Sequence, residues 1–207
     1  PLLQLAAMLD TLRRNDDDAT AQQYGAADLL LTTAYVALAE DYLTGQIDPK
    51  SVAQSWHIDV KEEEVDSALA RSLREDKLAD AIERMRPQDY DYEMLRRKLG
   101  DFRKVVSAGG WARVPEGKPL KRGDRASPAR LQALRSRLQA EGISVAADST
   151  GGVFDGALAA GIAQFQARHG IVVDSMLGEE TLDAMNVPAT FRLAQIAANL
   201  ERYRWLP

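Results

Sequence analysis

The sequence predicts an all-α protein, and three observations support this fold class. Apolar residues recur with the 3.6-residue period of an amphipathic helix along most of the chain. No segment of convincing length alternates apolar and polar residues, as a half-buried strand does. Hydrophobic residues make up 45% of the 207 residues and the mean hydropathy is −0.31. Such a chain can bury the core of one large or two small domains.

Helical patterns follow one another through the first part of the chain. The longest carries a stripe of large apolar residues, which predicts a central helix that is buried along this stripe. The stripe consists of Leu31, Tyr35, Leu38 and Tyr42. The predicted helices cover residues 2–14, 19–43, 47–56, a stretch from 61 onwards, 76–85 and 90–108.

Acidic runs lie at loops and helix starts. Residues 16–18 are three aspartates and predict a solvated loop. Residues 62–64 are three glutamates in the first turn of a predicted helix, where the helix dipole favours negative charge. Glutamates also occupy residues 179–180, and a glycosidase needs two carboxylates, so a wall hydrolase is an alternative function. The residues predicted to line the buried side of the helix after residue 61 are Val65, Leu69 and Leu73.

Residues 109–119 differ in composition from the helices on either side. Two prolines and three glycines among these residues predict an extended connector and a domain boundary. Trp111 lies in this connector, and we expect it to pack where the two domains meet.

The chain after the connector predicts a compact unit of three short helices. Ser127 and Pro128 begin the first helix as a cap followed by proline. Asp155 is expected to cap the second helix, and Gly170 is expected to end it in the left-handed conformation. The apolar stripes consist of Leu131, Leu134 and Leu138, then Leu158, Ile162 and Phe165, then Leu182 and Met185.

The order and spacing of these elements resemble the type 1 peptidoglycan-binding domain. The resemblance covers the whole three-helix unit and implies that it binds the cell wall. The family usually has Asp-Gly in the turn before the last helix, whereas this chain has Asp174-Ser175-Met176, so we expect a differently shaped turn. The matching residues are Leu120-Lys121-Arg122-Gly123-Asp124, Leu131-Gln132, Leu138, Phe165-Gln166, His169-Gly170-Ile171, Asp174, Gly178 and Thr181-Leu182.

Residues 199–207 resemble the segment that leads into the catalytic domain of large Gram-negative L,D-transpeptidases. That family joins a helical scaffold, an inserted peptidoglycan-binding unit and a β-rich domain that forms 3→3 crosslinks through a cysteine nucleophile and a histidine base. The resemblance implies a periplasmic or cell-envelope protein and makes this chain the non-catalytic front part of such an enzyme. The other agreeing features are Leu29-Leu30-Leu31-Thr32, Tyr35, Gly45, Asp48-Pro49, Gly109-Gly110-Trp111 and Val114-Pro115.

Composition excludes several kinds of chemistry within these residues. The net charge is −5, which disfavours nucleic acid because phosphate binding draws on a basic surface. The chain has no cysteine, so a disulfide, a thiolate metal site and a cysteine nucleophile are excluded. With two histidines we expect no metal site, and no cofactor is implied. No apolar run is long enough to span a bilayer.

We therefore divide the chain into a helical scaffold (residues 1–118), a peptidoglycan-binding-like domain (residues 119–187) and a helix leading into a missing catalytic domain (residues 188–207). The chain opens at Pro1 in helical sequence without a signal peptide, from which we expect a mature or trimmed fragment. The expected partners are peptidoglycan, through its glycan strands or stem peptides, and the chain's own catalytic domain.

Polar residues around the second helix of the three-helix unit are the candidates for wall binding. Gln164 and Arg168 are four residues apart and share a helix face, and we expect them to border a groove with Asp174 and Thr181. The alternative for Arg168 and its neighbour His169 is that they complement the dipole at the end of their helix.

Residues outside the groove are candidates for contacts between domains. We expect Trp111 at the boundary of the binding unit, and Arg204 and Trp205 against the catalytic domain. Both tryptophans are alternatively sugar-stacking residues or core residues of their own domain. A rival function of another class is a helical interaction module whose three-helix unit binds a protein instead of glycan.

Overall fold

The computed structural model of this chain describes residues 2–14, 20–58, 64–146 and 151–207. These residues form ten helices and no β-strand, which confirms the all-α prediction. The predicted acidic loop at residues 16–18 and the predicted helix start at residues 61–63 lie outside the described residues. The helices are α1 (Leu2–Arg14), α2 (Ala21–Thr44), α3 (Pro49–Val52), α4 (Val65–Arg74), α5 (Leu78–Met85), α6 (Tyr90–Ser107), α7 (Pro128–Ala140), α8 (Gly156–His169), α9 (Glu179–Asn186) and α10 (Ala189–Arg204).

The chain folds into two compact units. Unit 1 comprises Pro1–Arg97 together with Ala197–Pro207, and unit 2 comprises Lys98–Ile196. In the sequence, unit 2 is therefore inserted between two parts of unit 1.

The core of unit 1 is small, and α2 contributes to it along a face that includes part of the predicted stripe, since Tyr35 and Tyr42 pack against the core. Leu31 and Leu38 are 43% and 42% exposed, so the prediction that they are buried is wrong. In α4, Leu73 is 59% exposed, and that prediction is wrong too. The face of α2 that meets α4 and α5 is centred on Ala39 and Leu43, which leaves Leu31 and Leu38 to one side at the surface. The buried core residues are Ala39, Leu43, Ala68 and Met85, with Tyr35, Tyr42, Val65 and Ile82 packed against them.

The end of α10 and the tryptophan that follows it are packed inside unit 1. Trp205 is 6% exposed and meets Trp56 edge to face, with 5.7 Å between the ring centroids. A Cβ atom added to Gly45, which has φ +82°, would lie 2.8 Å from Trp205 Nε1, so this close approach requires glycine. Glu201 Oε1 accepts hydrogen bonds from the backbone N–H groups of Gln46 and Ile47. Residues far apart in the sequence thus form one packed region.

Unit 2 has the larger core, built from α7, α8 and α9. The predicted starts of α7 and α8 are confirmed, since Ser127 Oγ accepts from Arg130 N and Asp155 Oδ1 accepts from Leu158 N. Gly170 ends α8 with φ +66°, as predicted. The fully buried residues of this core include Leu131, Leu134, Leu138, Ile143, Phe154, Leu158, Ile162, Phe165, Leu177 and Met185.

Candidate functional site

The side chain of Gln166, near the end of α8, holds the turn that follows in place. It is 1% exposed. Its Oε1 accepts from the backbone N–H groups of Asp174 (3.2 Å) and Ser175 (3.0 Å). Its Nε2 lies 2.8 Å from Asp174 Oδ1, 3.1 Å from Met176 O and 3.0 Å from Thr181 Oγ1. An amide nitrogen has two hydrogens for these three acceptors, so two of the three contacts are full hydrogen bonds at any moment.

The turn itself contains a residue in an unfavourable backbone conformation. Ser175 has φ +62°, in the left-handed region that glycine adopts most easily. The adjacent Asp174 Oδ1 also accepts from Met176 N at 2.8 Å. The hydrogen bonds from Met176 N and from Gln166 hold the pKa of Asp174 below its usual value. Asp174 is therefore ionised at neutral pH, and one of its oxygens is fixed.

A groove lies beside this turn, and we call it the turn groove. Its volume is about 440 Å³. Leu120 and Leu177 hold its two sides together through a pair of backbone hydrogen bonds of 3.2 and 2.9 Å. A Cβ atom added to Gly156 would lie 3.6 Å from the Arg122 guanidinium, so Arg122 lies over the first turn of α8. The lining residues are Lys121, Arg122, Gly156, Ala159, Asp174, Ser175 and Met176.

The four residues expected to border a groove do not meet around one cavity. Asp174 lines the turn groove. Thr181 is 2% exposed, and its hydroxyl lies against Gln166. Arg168 is exposed and donates from Nη1 to the carbonyl of Glu141 at 2.8 Å, just after the end of α7. Gln164 is exposed on α8.

Sequence reasoning missed two residues of the groove, Lys121 and Arg122. Both belong to the opening motif of the three-helix unit, which marks the family pattern and does not by itself indicate a ligand contact. Two adjacent cations in a short loop were the available signal. Nothing in the local sequence places this loop beside Asp174, because the contact depends on the pairing of Leu120 with Leu177.

A buried ion cluster lies elsewhere in unit 2. Arg137 is 1% exposed, donates from Nε to Met185 O at 2.7 Å and from Nη2 to Glu141 Oε1 at 2.7 Å. His169 Nε2 lies 3.7 Å from the same carboxylate oxygen. Burial alone would raise the pKa of Glu141, but the interactions with His169 and Arg137 outweigh it and lower this pKa to about 2. This cluster joins α7, α8 and α9 and is part of the packed interior.

Trp111 fixes the connector to the helices of unit 2, to which the connector itself belongs. The Arg137 guanidinium lies 3.9 Å from the centroid of the Trp111 ring, a cation–π contact. Trp111 Nε1 donates to Val187 O at 3.0 Å, and Phe102 meets the indole edge to face at 5.8 Å. All of these residues belong to unit 2.

Arg204 and Trp205 make their contacts within unit 1. Arg204 donates from Nε to the hydroxyl of Tyr92 and from Nη1 to Glu201 Oε2, at 3.3 Å each. Trp205 is buried against Trp56, as described above. That these two residues meet a catalytic domain stays a prediction.

In the described part of the chain, no group of three or more His, Cys, Asp or Glu side chains is arranged to hold a metal ion. None of its helices combines the length and the apolar character needed to span a membrane.

Comparison with known families gives two matches. Residues 3–99 match the family described as "Scaffold domain". Residues 127–185 match the family described as "Putative peptidoglycan binding domain". A search of curated proteins finds no match to the chain.

Proposed function

Because the chain carries a scaffold domain followed by a peptidoglycan-binding domain, we propose that it is the wall-binding and scaffold region of an L,D-transpeptidase. The enzyme would form 3→3 crosslinks in the cell wall of a Gram-negative bacterium, in the periplasm. Since these residues contain no cysteine, the nucleophile would belong to a separate catalytic domain. Residues 119–187 would hold the enzyme on peptidoglycan and residues 1–118 would support the catalytic domain.

One observation carries this proposal. Residues 199–207, which resemble the approach to a transpeptidase catalytic domain, pack into the same unit as the residues that match the scaffold family. Trp205 contacts Trp56, and Glu201 binds the backbone at Gln46 and Ile47. A segment fixed in this way would give a following domain a defined point of attachment.

Wall binding can be tested by co-sedimentation of the purified chain with isolated peptidoglycan sacculi. Val114 and Asn186 exchange two hydrogen bonds, Val114 N to Oδ1 at 2.8 Å and Nδ2 to Val114 O at 3.1 Å. Residues 116–185 can therefore be replaced by a short Gly-Ser linker, because this pair holds the two ends of the replaced segment next to each other. We expect the intact chain to pellet with sacculi and the replaced chain to stay in solution with its remaining helices intact by circular dichroism.

The enzymatic part of the proposal needs a measurement in cells. In the whole enzyme, the same replacement should lower the fraction of 3→3 crosslinked muropeptides at equal protein level. Loss of the entire gene should lower this fraction at least as much. An unchanged fraction after gene loss would contradict the transpeptidase assignment, whatever the sacculi show.

A second candidate is a protein-binding role for unit 2. Val172 and Val173 are 76% and 57% exposed in the segment after α8, and adjacent exposed valines suit a protein contact better than a polar wall ligand. If the intact chain does not pellet with sacculi, this candidate gains support and the wall-binding proposal fails.

A further inference from the structure

We propose that the turn groove binds the charged end of a stem peptide, a group that carries a carboxylate and an amine together, and not a sugar ring of the glycan strand. This inference rests on the proposed wall-binding function and names the part of peptidoglycan that unit 2 recognises.

The charges that line the groove are the first argument. Lys121 and Arg122 contribute two cations and Asp174 contributes an anion, from two segments held together by the Leu120–Leu177 pair. Within the described residues, no ion pair joins these three side chains to each other or to a neighbour, so their charges are available to a ligand. A ligand with both charges satisfies both sides of the groove, whereas a neutral sugar would leave three charged groups partly desolvated without a partner.

The fixed position of Asp174 is the second argument. Its Oδ1 accepts from Met176 N at 2.8 Å and lies 2.8 Å from Gln166 Nε2, so the carboxylate is oriented before any ligand arrives. Within the part of the chain that the structure describes, Oδ2 has no hydrogen-bond partner. One oxygen thus serves the fold and the other can receive an ammonium group. A carboxylate held in this way loses little conformational freedom on binding.

The remaining lining residues favour a peptide as well. Gly156, Ala159 and Met176 give the groove small or flexible apolar surface, and none of its lining residues is aromatic. The face of a sugar ring packs best on an aromatic ring, which the groove does not offer. Arg122 can bind a carboxylate with two parallel N–H groups, a geometry that a sugar hydroxyl cannot match.

The test is isothermal titration calorimetry of the full chain with three soluble probes. The first probe is a stem tripeptide that ends in a diamino acid with free amine and carboxylate. The second is the same tripeptide with the amine of the diamino acid acetylated, and the third is the GlcNAc–MurNAc disaccharide without peptide. We expect the free tripeptide to bind and the disaccharide not to bind. Acetylation should weaken binding about tenfold, which corresponds to the loss of one charge-assisted hydrogen bond.

Substitutions assign each charge to its partner. Asp174→Asn keeps an oxygen that can accept from Met176 and Gln166 but removes the charge. It should therefore lower the affinity for the free tripeptide about tenfold and abolish the effect of acetylation on affinity. Arg122→Gln should weaken both tripeptides about equally, since its partner is the carboxylate. The matched controls are Asp183→Asn and Arg113→Gln, which are exposed residues of unit 2 outside the groove and should leave binding unchanged.

The failure of this inference can be told from the failure of wall binding. If the chain pellets with sacculi but binds the disaccharide and not the tripeptide, the stem-peptide inference is overturned and the proposed function stands. Equal binding of the free and acetylated tripeptides by the unchanged chain would also overturn the role of Asp174. If the chain binds neither sacculi nor any probe, both fail.

Discussion

Because the amide of Gln166 is buried and hydrogen-bonded, we predict that the change Gln166→Glu destabilises unit 2. The two side chains have nearly the same shape, so the substitution tests hydrogen-bond chemistry and not volume. The Glu oxygen that replaces Oε1 can still accept from the N–H groups of Asp174 and Ser175. The other oxygen would stand where Nε2 stands now, about 3 Å from Asp174 Oδ1 and from the Met176 carbonyl. Asp174 Oδ1 and the Met176 carbonyl would each lose the contact with Nε2, and two carboxylates would face each other.

The magnitude follows from these contacts. Two lost hydrogen bonds cost about 1 kcal/mol each in net stability. Repulsion from Asp174 and burial would raise the pKa of the new carboxyl. Since the carboxylate can avoid these penalties by taking up a proton, the destabilisation caused by its charge at pH 7 cannot exceed the free energy of protonating a free carboxyl at that pH. For a group with an unfolded pKa near 4.3, that limit is about 4 kcal/mol. We therefore expect Gln166→Glu to lower the free energy of unfolding of unit 2 by about 3–5 kcal/mol at pH 7.

The assay is urea unfolding of the full chain at several pH values, monitored by circular dichroism. A carboxyl whose folded pKa is raised destabilises the protein above its unfolded pKa. The difference in stability from the unchanged chain should therefore narrow as the pH falls from 7 towards about 4, and only the part due to lost hydrogen bonds should remain below that pH. Gln164→Glu is the matched control, because Gln164 is exposed two residues earlier on α8, and it should change stability by less than about 0.5 kcal/mol. Equal effects of the two substitutions at pH 7 would refute the role assigned to Gln166.

Three further predictions concern stability. Ser175→Gly should stabilise unit 2 by about 0.5–1 kcal/mol in thermal melts, because glycine adopts φ +62° without strain but loses more entropy on folding. Glu141→Gln should lower the free energy of unfolding by about 1–2 kcal/mol at pH 7, after allowance for solvent screening, as measured by urea titration. Because the pKa of Glu141 is lowered to about 2, the stabilisation by its carboxylate is complete above pH 4.5 and should disappear as the pH falls towards 2. Gly45→Ala should destabilise unit 1 by about 1–3 kcal/mol, measured by tryptophan fluorescence, because the new Cβ would strike Trp205. Gly25→Ala, in open space near the start of α2, should instead stabilise it by about 0.5–1 kcal/mol.

Each of these has an outcome that contradicts it. A destabilised Ser175→Gly protein would mean that the turn does not strain the serine. A Glu141→Gln effect that persists at pH 2 would place its cause outside the ion cluster. If Gly45→Ala and Gly25→Ala behave alike, the close contact of Trp205 with Gly45 does not hold in solution.

Local rules of helix formation could be read from the sequence because their causes lie within a few residues. Ser127, Asp155 and Gly170 end or begin helices through hydrogen bonds and backbone angles of their own neighbours. The buried face of α2 could not be read in the same way. Periodicity marked Leu31 and Leu38 together with two tyrosines. The face of α2 that packs against α4 and α5 is centred on Ala39 and Leu43, so it includes the tyrosines and leaves the two leucines exposed. Which stripe is buried depends on the partner helix, and that information is not local.

The candidate site depends even more on distant pairing. Gln166 is recognisable as part of a family motif, but its role becomes clear only with its five contacts in the turn and in α9. Arg122 reaches the groove because Leu120 pairs with Leu177, far along the chain. The expected site residue Thr181 was a reasonable choice by helix position. Its burial follows from the amide of Gln166, which lies 3.0 Å from its hydroxyl.

One oxygen of Asp174 stabilises the turn and the other is available to the ligand, and this difference decides which substitutions can report on binding. Asp174→Ala would remove the charge and also the acceptor for Met176 and Gln166, so the turn would loosen and binding could be lost for either reason. Asp174→Asn separates the two effects, provided that its stability matches that of Asp183→Asn. If Asp174→Asn retains full affinity for the free tripeptide while Arg122→Gln loses it, the groove recognises a carboxylate alone, and the amine of the stem peptide points away from Asp174.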